Sequence, residues 1–238
     1  MDAQHAVVLA ADFVVGLVLL LGGVLLWRLE RAAGTLLAAA GASWLLSFVW
    51  PDALFWHRGP LVHLLLALPG WRPHSAPAAA MTLAVYVVSV VAPTLWYDDR
   101  ATIALGLGLA FAAGWNVRGA SGLGKYHRLR AWWISLVVGS VLVLGAVLRL
   151  VVGVGAWLVA LTAYDAGLVA AVVMLLVGSA PAKVARLRDL VIDLGDSREH
   201  PGGRALARTL RDPDLVVAVW DSARRAYLSA DGDPVPLR

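Results

Sequence analysis

Long apolar runs alternate with short polar turns as far as about residue 180, and then the pattern changes. A helix needs roughly 20 apolar residues to cross the hydrocarbon core of a bilayer. Ala6–Trp27, Gly34–Trp56, Pro77–Tyr97 and Ala131–Gly153 meet that length, and Gly155–Ala180 exceeds it. Ala101–Val117 is near the short limit. His57–Gly70 is shorter, with Pro60 near its start and Pro69 near its end. The pattern predicts an all-α membrane protein whose residues 1–180 form a bundle of about seven transmembrane helices.

Beyond the bundle, residues 181–203 read as an amphipathic linker helix followed by a polar break. Pro181 stands where a helix start tolerates proline. Val184, Leu187, Val191 and Leu194 recur with the spacing of a heptad seam. That seam predicts either a homodimer contact or a helix lying on the lipid surface. In residues 204–238, Arg204–Arg211 reads as a short helix, and Leu215–Trp220 and Ala226–Ser229 read as the two strands of a hairpin. The segment looks like the opening of a larger α/β signalling domain.

Composition supports lipid as the solvent. The chain is 60% hydrophobic and 15% charged, whereas soluble domains carry about 25% charged residues. Arginine and lysine then set the orientation. Arg28 and Arg31, then Arg72, then Arg118, Lys125, Arg128 and Arg130, then Lys183, Arg186 and Arg188 occupy alternate turns and the tail. These are expected in the cytoplasm, with the N-terminus outside. Asp52, Arg58, Asp98, Asp99 and Arg100 fall on the outer turns. If His57–Gly70 only dipped into the bilayer, Arg28 and Arg31 would face outward, so it is read as a crossing completed by Trp71–Ala76. The first run is too long for a signal-peptide core and has no basic residue before it, so it is read as a retained helix. The expected location is a bacterial plasma membrane, with the bilayer as the first partner.

The net charge of +4 forms no concentrated basic stripe, so nucleic acid is not expected as a partner. The absence of cysteine excludes disulfides, thiolate catalysis and cysteine-based metal sites. No cofactor, metal site or catalytic constellation is expected.

Ionisable side chains within apolar spans are costly and mark sites worth testing. At about 1.5 Å per residue, Asp12 lies about 9 Å below the outer surface, His63 about 8 Å, Arg149 about 4–5 Å and Asp165 about 15 Å. Tyr164 precedes Asp165. Together they predict a ligand-sensing or proton-sensing pocket open to the outside, with Asp12 or Asp165 paired to Arg149 or His63. The alternative is a structural polar cluster, with Arg149 snorkelling to the surface. Trp44, at mid-depth, reads as a helix-packing residue, while most other tryptophans fall near an interface.

Two motifs mislead. Gly119-Ala-Ser-Gly-Leu-Gly124-Lys125-Tyr126 nearly fits a phosphate-binding loop, but Tyr126 replaces the magnesium-binding hydroxyl residue and no strand precedes it. A flexible basic loop at the headgroups is expected there. A retinal receptor needs a lysine deep in the last span, and that position holds Asp165.

His57-Arg-Gly-Pro-Leu-Val-His63 with Leu64–Gly70 resembles the membrane sensory region of actinobacterial-type sensor histidine kinases. Arg188-Asp-Leu-Val-Ile-Asp-Leu-Gly195 resembles their post-membrane linker. Leu206-Ala-Arg-Thr-Leu-Arg-Asp-Pro213, with Val219-Trp220-Asp221 and Ala230-Asp-Gly232, is similar to the segment ahead of their kinase core. The resemblance implies a membrane bundle that passes a stimulus through a dimerising linker to a kinase core and a response regulator. No histidine here stands as a phospho-acceptor: His200 precedes Pro201-Gly202-Gly203 and His127 sits in a membrane loop. No ATP-binding motif is present. The implied function is therefore the sensory module of a two-component system, with kinase activity supplied elsewhere or lost. A small-molecule transporter or channel is the first alternative, and a structural or inactive membrane fragment the second.

Overall fold

The computed structural model describes residues 3–120, 122–179, 218–221 and 226–229. The described residues form seven α-helices: α1 (Ala3–Trp27), α2 (Arg31–Leu46), α3 (Arg58–Ala67), α4 (Ala76–Val91), α5 (Asp99–Arg118), α6 (Gly122–Val152) and α7 (Trp157–Ser179). Three contain stretches long and apolar enough to cross a membrane: Val7–Trp27, Lys125–Val152 and Trp157–Ser179. Large apolar side chains face outward on several helices, among them Leu21 and Leu25 on α1, Phe111 on α5, Leu144 on α6 and Val177 on α7. Outward apolar surface of this extent suits lipid and not water.

Helix ends follow local chemistry. Ser75 caps α4 by accepting from the Ala78 N–H, and Asp98 caps α5 by accepting from the Arg100 N–H. Glu30 precedes α2 without capping it, because its carboxylate is engaged by Arg130 and Ser179. The expected run Gly34–Trp56 is not one helix. It stops at Leu46, tightens through the Ser47, Phe48 and Val49 amides, and reaches a short 3-10 turn at Pro51–Ala53. The expected run Pro77–Tyr97 likewise ends as a helix at Val91, ahead of Pro93. The stretch Gly119–Tyr126, expected as a loop, is helical from Gly122.

α3 is the least regular feature of the pattern and the most enclosed. It has only 10 residues, about 15 Å of helix, and it stops before Leu68, whose extended backbone suits a residue preceding proline. Every one of its residues except His63 is buried, with α2, α4 and α5 around it. A helix surrounded by protein needs no lipid-spanning length, and irregular backbone is tolerated where protein covers it.

Along the chain the helices pack in order, with α3 between α2 and α4. α1 packs on α2 and α4 on α5. α5 meets α6 at Gly106 and Gly139, α6 meets α7 at Gly145 and Ala160, and α7 closes on α1. Small residues at these crossings let the backbones approach. One end of this bundle gathers Glu30, Arg130 and Ser179, together with Leu66, Ser75, Asn116 and Arg128. The other end gathers Asp12, Trp44, Arg58, Trp96, Asp99 and Arg149. α3 therefore starts at one end and finishes near the other.

Residues 121–124 and 181–238 form a second unit. Its described part is an antiparallel strand pair, β1 (Ala218–Asp221) and β2 (Ala226–Ser229), with Ala218 opposite Ser229 and Trp220 opposite Tyr227. The linker seam Val184, Leu187, Val191 and Leu194 and the short helix Arg204–Arg211 lie outside the described residues.

Candidate functional site

A cavity of about 370 Å³ lies at the end of the bundle that holds Trp96 and Arg149. Its walls come from α1, α2, α3, α5, α6 and α7 and from the turns before α3 and α5. Its volume is within the range of small-molecule sites, roughly 300–1,000 Å³.

Three expected residues meet here: Asp12, Arg149 and Tyr164 all line the cavity. Asp165 stands just behind, buried, with its carboxyl group against that of Asp12. Oδ1 of each aspartate has no partner among the described residues. His63 is not part of the site. It donates Nε2–H to the Trp71 carbonyl at 2.8 Å and faces the Tyr86 hydroxyl at 3.4 Å. The expected pairing of Asp12 or Asp165 with Arg149 or His63 therefore gives way to another. Arg149 reaches Asp99, with contacts of 2.6 and 2.7 Å, at the start of α5.

Trp44 has a more specific place than helix packing. Its indole N–H donates to the Asp12 carbonyl at 2.8 Å, and its ring lies 4.5 Å from the His57 ring. His57 in turn is tied on both nitrogens. Nδ1–H donates to the Leu54 carbonyl at 2.8 Å, which leaves Nε2 of the neutral ring to accept the Tyr164 O–H at 3.0 Å.

Arg58 is the group that sequence reading missed. As an arginine on an expected outer turn it looked solvated, yet it is only 8% exposed. Its guanidinium carbon lies 4.7 Å from the Phe55 ring centre and 4.9 Å from that of Trp96. Trp96 is fixed by its own N–H donating to Ser89 Oγ at 3.1 Å. Cation–π contacts give roughly 0.5–2 kcal/mol each, but they do not replace hydrogen-bond acceptors for the N–H groups. Nε and Nη1 have no hydrogen-bond partner among the described residues. Each unmet buried donor costs about 1–3 kcal/mol, and more when charged. Tyr164 stands beside the guanidinium, and a second cation, Arg149, shares the cavity wall. The only sequence signal was position, Arg58 opening the apolar run ahead of Gly59 and Pro60.

Among the described residues no group of His, Asp and Glu side chains could hold a metal ion. Chemically, the arrangement offers a lined cavity, aromatic walls and a buried cation. No protein-family model, curated protein or solved structure matches the chain.

Proposed function

We propose that the chain is the membrane sensory module of a two-component system, seated in a bacterial plasma membrane by about seven crossings. In this reading the N-terminus is outside and the tail is cytoplasmic. The observation that carries it is the cavity around Arg58, at the end of the bundle opposite Arg28, Arg31 and Arg128. The basic turns mark the cytoplasmic side, so the cavity faces outward, where a stimulus arrives. α3 crosses despite its 10 residues because protein, not lipid, surrounds it. At the opposite end, Glu30 and Arg130 hold Ser179, the last residue of α7, from which the chain runs on to the linker.

The deciding experiment fuses an intact histidine-kinase core after Arg238 and reconstitutes the fusion in vesicles. Phosphorylation that depends on an external stimulus, and is altered by substitutions at Tyr164, supports the reading. Constitutive phosphorylation unaffected by any wall substitution, together with solute flux through the bundle, would replace it with a transporter. Reporter fusions at Arg72 and Asp98 test the threading, with the first expected inside and the second outside.

A further inference from the structure

The cavity contains two guanidinium groups, and their charges are not balanced alike. Arg149 is matched by Asp99 at 2.6 Å. Asp12, the other carboxylate in the wall, is turned to Asp165. That leaves Arg58 as the uncompensated charge, with no carboxylate in ion-pair contact among the described residues. The Phe55 and Trp96 rings pack against it, while Nε and Nη1 have no acceptor among the described residues. A buried guanidinium with no carboxylate partner and with unmet N–H groups is satisfied best by a carboxylate, which accepts charge-assisted hydrogen bonds. The remaining wall is apolar and aromatic, with Trp44, Trp157 and Leu161 facing the space.

We infer that the cavity binds a small organic carboxylate, its anionic head paired with the Arg58 guanidinium and its apolar body against the aromatic wall. The assignment deepens the sensory reading above and rests on it for its signalling role. Tyr164, whose O–H is committed to His57, stands beside Arg58 and links the site to α7.

The test uses the full chain in phosphatidylcholine nanodiscs, with benzoate as the probe and benzamide as its uncharged counterpart of the same shape. Benzoate is expected to raise the unfolding midpoint saturably, and benzamide to leave it unchanged at the same concentrations. Arg58→Gln should weaken the benzoate response at least tenfold. Should that variant fail to fold, Leu161→Trp, which fills the cavity and keeps Arg58, should abolish the response. Equal responses to benzoate and benzamide, no response to benzoate, or a response that survives both substitutions would overturn the assignment. A second set of nanodiscs containing phosphatidylglycerol separates the other source of an anion. Stabilisation there without any benzoate effect assigns Arg58 to a lipid phosphate and sinks the carboxylate. The kinase-fusion experiment fails or succeeds independently. Benzoate binding without stimulus-dependent phosphorylation removes the sensory reading and leaves the site, whereas the reverse removes the site alone.

Discussion

Arg130 and Glu30, separated by 100 residues of sequence, meet in a two-pronged ion pair at 3.0 and 3.1 Å. The Ser179 hydroxyl joins them, donating to Glu30 Oε1 at 2.9 Å and accepting from Arg130 Nη1 at 3.0 Å. The pair is nearly closed to solvent, with side chains 7% and 14% exposed. Removing one partner strands the other charge, a loss of about 3–5 kcal/mol. Glu30→Gln is therefore expected to destabilise the bundle by about 3 kcal/mol. Combining it with Arg130→Met should recover part of that, because no unpaired charge remains. Unfolding titrations in detergent micelles measure both. A double variant as weak as the sum of the singles would show that the two residues act separately.

Arg149 and Asp99 are closer, at 2.6 Å, yet the contact is expected to matter less for stability. Their side chains are 29% and 19% exposed, so water and salt screen the attraction. Asp99→Asn should cost under about 1 kcal/mol, and the small difference should shrink in high salt. The same titration at two ionic strengths measures it. A salt-independent loss as large as that of Glu30→Gln would mean that the pair is sealed from solvent.

Gly106 on α5 and Gly139 on α6 lie back to back. A methyl group added at Gly106 would stand 2.7 Å from the Gly139 carbonyl oxygen, and one at Gly139 would stand 2.8 Å from the Gly106 oxygen. Neither obstacle is a flexible side-chain tip, so the helices must separate. Each Gly→Ala substitution is expected to cost about 1–3 kcal/mol, despite the gain in helix propensity. Gly155→Ala, where nothing lies within 4 Å, serves as the control and should be near neutral or slightly stabilising. If the Gly106 variant and the control melt alike, close helix contact at this crossing is not what holds α5 to α6.

How much of this was legible in the sequence depends on whether the feature was periodic or tertiary. The apolar runs located all seven helices, because a lipid-facing or core-facing helix must stay apolar over its length. Their ends were less legible: the helix expected over Gly34–Trp56 stops at Leu46, although the exposed Phe48, Val49 and Trp50 beyond it are as apolar as the helix itself. Of the ionisable residues picked out within the apolar runs, Asp12 and Arg149 line one cavity with Tyr164, and Asp165 lies beside it. Their partners were not legible, because Asp99 and His57 lie 50 and 107 residues from Arg149 and Tyr164. Arg58 was hidden for the same reason. Only the closure of Phe55 and Trp96 around it removes it from water, and no local spacing encodes that closure. His63 has the composition of a site residue, but the carbonyl of Trp71 takes its Nε2–H.

Tyr164 and Tyr86 each face a histidine, and the two contacts predict different losses. Tyr164 Oη is 3.0 Å from His57 Nε2, and His57 is 3% exposed. Tyr86 Oη is 3.4 Å from His63 Nδ1, beyond the usual range for a strong bond. Tyr164→Phe leaves a buried ring nitrogen without a donor, which should cost about 1–3 kcal/mol. Tyr86→Phe removes a long contact and should cost under about 0.5 kcal/mol. Trp44 supplies an internal check, because its ring packs on both His57 and Tyr164. Trp44→Phe keeps an aromatic wall and loses the hydrogen bond to the Asp12 carbonyl, so its expected loss is about 1 kcal/mol. The Trp44→Phe and Tyr164→Phe losses should not add, since both loosen the same histidine. Unfolding midpoints of the singles and the double measure this. Strict additivity, or equal losses for the two tyrosines, would show that His57 is not held by the hydroxyl.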